Sequence, residues 1–197
     1  MPMSTFPEII RFADCTAQPW ANGGGSTRVI AMHVDDSKAG HFDWRLSVAT
    51  VGSGDFSRFS GVDRVIVLVE GPPMELTIDG AAHVLDPLRP RRFAGESEVS
   101  CEVSRQCLDF NVMTRREVCR ADVSIRAGSG HVAAPLACMT FIVSLADSVT
   151  VRLAGGGVKR LGRFDTVALS AAADVSAETG GRLAVVRVEY VDGRRLR

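Results

Sequence analysis

The chain has 197 residues, 46% of them hydrophobic and 23% charged, and its 23 Lys plus Arg balance 23 Asp plus Glu. That length and apolar share can bury one large core or two small ones, and zero net charge argues against a main affinity for phosphate backbones. No run of about 18 apolar residues occurs, and the opening MPMSTFPEII has neither a basic n-region nor an apolar h-region, so neither a membrane span nor a secretory signal is expected.

Taken in chain order, the first distinctive segment is Gln18–Thr27, QPWANGGGST. Three consecutive glycines open backbone geometries closed to other residues and let a ligand or a strand approach the main chain. No strand precedes them closely and no Lys follows, so they form neither a P-loop nor a dinucleotide fingerprint. Apolar residues then recur with period two, which predicts strands at Arg28–Val34, Trp44–Val51, Val65–Glu70, Met74–Asp79 and Ala82–Leu85. The same pattern continues at Glu98–Ser104, Cys107–Thr114, Ala121–Arg126, Met139–Leu145, Val149–Leu153, Thr166–Leu169 and Leu183–Tyr190. Only Ser170–Glu178 has a helix-like composition. Many short strands broken by Gly, Pro and Asp predict an all-β sandwich or barrel. A weak repeat supports two such units. The run VIVLV, MELTID, Gly80 and His83–Leu85 returns about 75 residues later as TFIVS, VTVRL, Gly155 and Val158–Leu161. Gly128–Gly130 carries turn chemistry, so the expected boundary divides residues 1–127 from 128–197.

Alternation isolates candidate site residues. In WRLSVATV, Trp44, Leu46 and Val48 share one face, and Arg45, Ser47 and Ala49 the other. In CLDFNVMT, Leu108, Phe110 and Val112 oppose Asp109, Asn111 and Met113. Asp and Asn are poor strand formers, so two of them alternating through an apolar strand call for a polar pocket or a wet face. Arg64 precedes one strand, and Arg115 and Arg116 end another. If Arg45 points inward, Ser47 does too, and the buried cation needs water, a ligand carboxylate or Asp109 against it. His33, His41, His83 and His131 form no HxH or compact acidic cluster, so no metal site and no metal cofactor is expected. Cys15, Cys101, Cys107, Cys119 and Cys138 are odd in number and lack CxxC spacing. They read as reduced thiols in a cytoplasmic protein.

Four stretches carry a resemblance: PWANGGGSTRVI, FDWRLSVATV, GDFSRFSGVDRVIVLVEG and DFNVMTRR. In that order and spacing, the chain resembles the HutD/Ves family. The family's GPFSxFPG phrase has Pro where this chain has Asp55 and Ser60. The resemblance implies a bicupin, two cupin-type β-barrels in one chain. It implies a role in histidine utilisation through binding of a small anion such as urocanate, formylglutamate or formate. A second branch of the family is linked to environmental stress. The metal motif of cupins, GxxxxxHxH…E, has no match here, so the resemblance favours a metal-free pocket with no cofactor. The site residues it implies are Trp20, Asn22, Gly23, Gly24, Thr27, Arg45, Ser47, Arg64, Asn111 and Arg115, with no catalytic residue assigned. Arg matches a carboxylate bidentately, and hydroxyl and amide groups complete the hydrogen bonds. The expected partners are a small anionic ligand and a second copy of the chain, with neither nucleic acid nor membrane. The alternatives are a metal-free cupin enzyme, with Asp109 as acid or base, and a structural or stress-related interaction module.

Overall fold

The computed structural model describes residues 9–21, 23–34, 41–154, 156–169, 171–177 and 181–193. Within them the chain is all-β. One 3-10 turn, Phe12–Asp14, is the sole helical element, and no helix is long and apolar enough to cross a membrane. The strands are β1 (Ala17–Pro19), β2 (Gly25–Val34), β3 (Phe42–Val51), β4 (Gly54–Asp55), β5 (Val62–Glu70), β6 (Met74–Ile78), β7 (Ala81–Leu85), β8 (Arg91–Ala94) and β9 (Val99–Glu102). They continue as β10 (Cys107–Arg115), β11 (Cys119–Ala127), β12 (Gly130–Val132), β13 (Cys138–Ser144), β14 (Val149–Leu153), β15 (Val158–Leu161), β16 (Thr166–Leu169), β17 (Ala173–Ala177) and β18 (Arg182–Tyr190).

Two compact units result, one of residues 15–118 and one of residues 1–14 with 119–197. The unit of residues 15–118 has two antiparallel sheets, β1-β2-β3-β10-β5-β8 and β4-β9-β6-β7. The other has sheets β11-β18-β13-β16 and β12-β17-β14-β15. Adding eight to each label of β3–β10 converts the first set of pairings into the second. The three-strand repeat legible in the sequence, β5–β7 against β13–β15, is thus part of an eight-strand one, each unit being a two-sheet jelly roll, with β1 and β2 added to one edge of the first.

The boundary lies at Val118/Cys119 rather than after Ala127. The physical reason is pairing: β11 runs antiparallel to β18 from Cys119↔Tyr190 to Ala127↔Arg182. Gly128, at φ 69°, makes the turn into β12, so it connects strands of one unit and is no inter-unit linker. The first residues belong with the second unit, because Ile10 bridges Thr166 and Arg11 donates to Asp165 at 2.5 Å. The segment with helix-like composition contains β17 instead. Ala173 and Val175 are buried, and the strand pairs with β12 and β14, so sheet pairing overrides the propensity of alanine.

Each core lies between its two sheets. In the unit of residues 15–118 it gathers Val51, Ile66, Leu68 and Cys107 from one sheet and Met74, Leu76, Leu85, Val99 and Cys101 from the other. The second unit fills its interior with aliphatic side chains, among them Ile142, Val151, Leu161, Val167, Leu183 and Val185.

The glycine run has separable roles. Gly23 is left-handed at φ 72°, with open space where a side chain would go. Gly25 pairs with Val51, and a Cβ there would stand 2.0 Å from the Thr50 carbonyl oxygen. Gly25→Ala is therefore expected to cost about 1–3 kcal/mol or more in urea unfolding, as overpacking against rigid backbone does. Gly23→Asn should cost less than about 1 kcal/mol, since Asn tolerates the left-handed region. Equal losses in the two variants would contradict this division.

Candidate functional site

The registers of β2, β3, β10 and β5 stack the inward side chains in rows. Thr27, Ala49, Asp109 and Leu68 lie opposite one another across the four strands. The next row holds Val29, Ser47, Asn111 and Ile66. The third places Arg45 and Arg64 on the two sides of Met113, with Phe93 beyond Arg64. Polar residues at alternate positions of three adjacent strands thus converge on one face.

They line a cavity of about 200 Å³ together with Gln18, Pro19, Trp20, Phe56, Ser57 and Phe59. That is room for one small organic molecule, below the usual ~300–1,000 Å³ of drug-sized pockets. The lining holds two guanidinium groups and one carboxyl.

Arg64 is 5% exposed and Asp109 is 1% exposed. Arg64 Nη2 donates to Asn111 Oδ1 at 3.2 Å, and Nη1 donates to the Ser57 carbonyl at 3.2 Å. Asn111 Nδ2 in turn donates to Asp109 Oδ1. The amide therefore relays between cation and acid. Burial lowers the Arg64 pKa to about 10, with Asp109 opposing and Arg45 adding to the fall. Burial raises Asp109 to about 7 against the pull of Arg64, Asn111 and the Ala49 amide.

Arg45 is half-buried nearer the opening. Its Nη2 donates to Met113 Sδ at 3.1 Å, and its guanidinium lies 5.0 Å from the Phe42 ring centroid and 5.3 Å from that of Phe59. Arg64 stacks on Phe93, Phe56 and also Phe59, the last at 5.8 Å. One ring thus serves two like charges. Arg45 Nε, Arg64 Nε and Asp109 Oδ2 are buried without a hydrogen-bond partner among the described residues. Unmet polar atoms of this kind call for a bound guest or water.

Of the residues expected from sequence, Trp20, Thr27, Arg45, Ser47, Arg64 and Asn111 meet at this cavity. Trp20 Nε1 donates to Thr27 Oγ1 at 2.7 Å, which satisfies the indole's polar tip within the lining and leaves the ring as an apolar wall. Gly23 and Gly24 do not line the cavity. They build the turn beneath Trp20, where Gly23 N donates to the Trp20 carbonyl and Gly24 accepts from Gly52 N. Asn22 lies outside the described residues. Arg115 shares the parity of Met113 but stands at the end of β10, where it bonds His41 at 3.0 Å and stays off the lining. Of the three partners expected for Arg45, Asp109 is not the one seen: Asp109 faces Arg64 through Asn111, while Arg45 takes sulfur and aromatic partners. The walls Phe56 and Phe59 are site residues that strand alternation does not reach, although both stand in the GDFSRFSG stretch.

The lining contains no His, Cys or Glu, and no group of three metal-ligating residues occurs among the described residues. What the arrangement offers is a cationic, aromatic-walled recess with one acid poised near neutrality.

The acid has a consequence for stability. Between pH 4 and 7 unfolded Asp109 is ionised while the folded chain keeps the proton, so its contribution falls as pH rises and is fully lost above about 7. Asp109→Asn removes that dependence and keeps an acceptor for Asn111. Urea unfolding at pH 5 and pH 8 should show the variant gaining on the wild type by ~2 kcal/mol or more at the higher pH. Parallel stabilities at both pH values would contradict the buried acid.

The HutD family model matches residues 12–185. The uncharacterized 21.2 kDa protein in the hutC 3′ region of Pseudomonas putida is 32% identical over 185 residues, spanning 92% of this chain and 96% of that one. Protein Ves of Citrobacter koseri is 40% identical over 110 residues, about half of each chain. The solved structure of HutD from Pseudomonas fluorescens SBW25 superposes with a TM-score of 0.79 at 33% identity, covering 92% of this chain and 97% of that one. A cupin 2 conserved barrel domain protein from Leptotrichia buccalis, at 10% identity and a TM-score of 0.55, covers 96% and 98% of the two chains and shares the fold alone. With a cupin-like β fold and a family match over nearly its whole length, the chain belongs to the HutD family.

Proposed function

We propose that this chain binds a small carboxylate in the cavity of residues 15–118 and thereby modulates histidine utilisation. The observation that carries this reading is the charge surplus: two guanidinium groups line the recess against one carboxyl that is itself held near neutrality. An anion seated between Arg45 and Arg64 relieves their mutual repulsion and pairs with both guanidinium groups. Phe59, Phe56 and Trp20 offer flat apolar walls to a planar ligand body. Urocanate, formylglutamate and formate fit this chemistry. Support for the physiological setting comes from two relatives, one located in a hutC 3′ region and one a HutD structure solved in a formate condition.

Binding is favoured over turnover because the lining lacks a nucleophile–base pair: Ser47 has no imidazole beside it. A second reading has its own observation. Asp109, buried in the recess with a pKa of about 7, has the property of a general acid–base, so a metal-free cupin isomerase or hydrolase is the alternative.

Titration calorimetry with urocanate, formylglutamate and formate separates these. The wild type should bind at least one, unchanged chemically on recovery. Arg45→Ala should lose about 2–5 kcal/mol of binding, the usual result of truncating one partner of a buried charge pair. Recovery of a converted ligand would select the enzyme. No binding by the wild type, or equal binding by the variant, would overturn the site. Elemental analysis of the purified protein should find well below ~0.5 transition metal per chain, since the one soft donor in the lining, Met113, has neither a thiolate nor an imidazole beside it there; about one per chain, lost on altering a cavity residue, would contradict the metal-free pocket.

A further inference from the structure

In a recess built for an anion, an ionised carboxylate oxygen is the wrong neighbour. Asp109 nevertheless sits in the cavity lining, 1% exposed, on the row below Ser47 and Asn111. Its Oδ1 is taken by Asn111 Nδ2, while Oδ2 has no hydrogen-bond partner among the described residues. Asn111 reaches the acid only through Oδ1, its Nδ2 donating there while its own amide oxygen accepts from Arg64. Nor does Arg64 bond the acid directly; its guanidinium donates to Asn111 and the Ser57 carbonyl.

The charged and titratable groups around Asp109 come from four strands. Arg64 approaches from β5, and Arg45 from β3 shares the cavity further out. Cys101 on β9 and Cys107 on β10 lie on the core side, and burial pushes both thiols up, Cys101 to about 11. The Ala49 amide of β3 faces the acid as well. Of this set only Asp109 changes charge near neutral pH.

Resting on the anion-binding reading above, we propose that Asp109 is a proton-linked selector, taking up one proton from solvent as a carboxylate binds, so that its Oδ2–H donates to the ligand oxygen. The balance is simple. One O–H bond forms on Asp109, the proton comes from buffer, and no other bond is made or broken. Ionised, Oδ2 would repel the ligand; protonated, it gives a strong O–H···O⁻ hydrogen bond. The free acid of Asp109 already dominates below about pH 7, so binding there exchanges few protons. Above that range each bound anion must bring a proton with it, and apparent affinity falls as pH rises.

The test uses formate and N-formylglutamate, neither of which titrates between about pH 7 and about 9. Calorimetry in HEPES and in Tris, which differ in ionisation enthalpy, reads the proton count directly. For the wild type, uptake should approach about one proton per bound anion near pH 8.5, and Kd should rise roughly tenfold per pH unit above about 7.5. Asp109→Asn should bind without proton exchange and with a flat pH profile. The wild-type measurements decide the matter even if that variant does not fold. Binding with no uptake and a flat wild-type profile overturns the proton link alone. No binding of either acid at any pH overturns the anion site and the proton link together.

Discussion

Two arginines share one aromatic ring inside a β sandwich while only one of them is linked to the acid, and the rest of the site follows from that crowding. Arg64 is almost wholly removed from water, and its charge is sustained by an indirect chain, guanidinium to Asn111 amide to Asp109 carboxyl. A direct bidentate pair would have neutralised the cation. Inserting the amide leaves one oxygen of the buried acid unmet and a second guanidinium, also over Phe59, with no carboxylate partner among the described residues. Buried ionic groups held this way cost stability, which a protein tolerates where they make a site.

The duplicated topology sharpens the contrast between the two units. Strands β5 and β10 carry Arg64, Asp109 and Asn111 inward, whereas their counterparts β13 and β18 carry Ile142, Leu183 and Val185 into an aliphatic core. The same eight-strand frame therefore carries a polar recess in one unit and an aliphatic cluster on the matching strands of the other. Within the unit of residues 15–118 the division runs along the sheet: Val51, Leu68 and Cys107 close the interior on one side, and the Arg45–Met113–Arg64 row opens it on the other.

Much of this is legible in the chain itself, for a definable reason. Period-two alternation assigns faces, so it groups Arg45 with Ser47, and Asp109 with Asn111, from the order of residues alone. Alternation is silent on register. That Ser47 stands opposite Asn111, and that Arg64 rather than Arg45 is the partner of Asp109, depends on long-range pairing. Strands β1, β4 and β12 escape a periodicity argument because pieces of two or three residues hold too little pattern to separate from loop, and β17 because its alanines read as helix. Phe56 and Phe59 escape for another reason: they belong to a turn-rich connection, and only its fold-back over the sheet makes them walls. The unit boundary is hidden because Gly128 looks like a linker locally, while the partner of β11 is the distant segment Arg182–Tyr190.

A crystal structure of the protein soaked with formate or N-formylglutamate tests the central claim most directly. The account predicts a carboxylate seated between the Arg45 and Arg64 guanidiniums, with one oxygen within hydrogen-bond distance of Asp109 Oδ2. A carboxylate bound elsewhere, or Arg45 turned out to bulk solvent with the recess holding only water at saturating ligand, would contradict it.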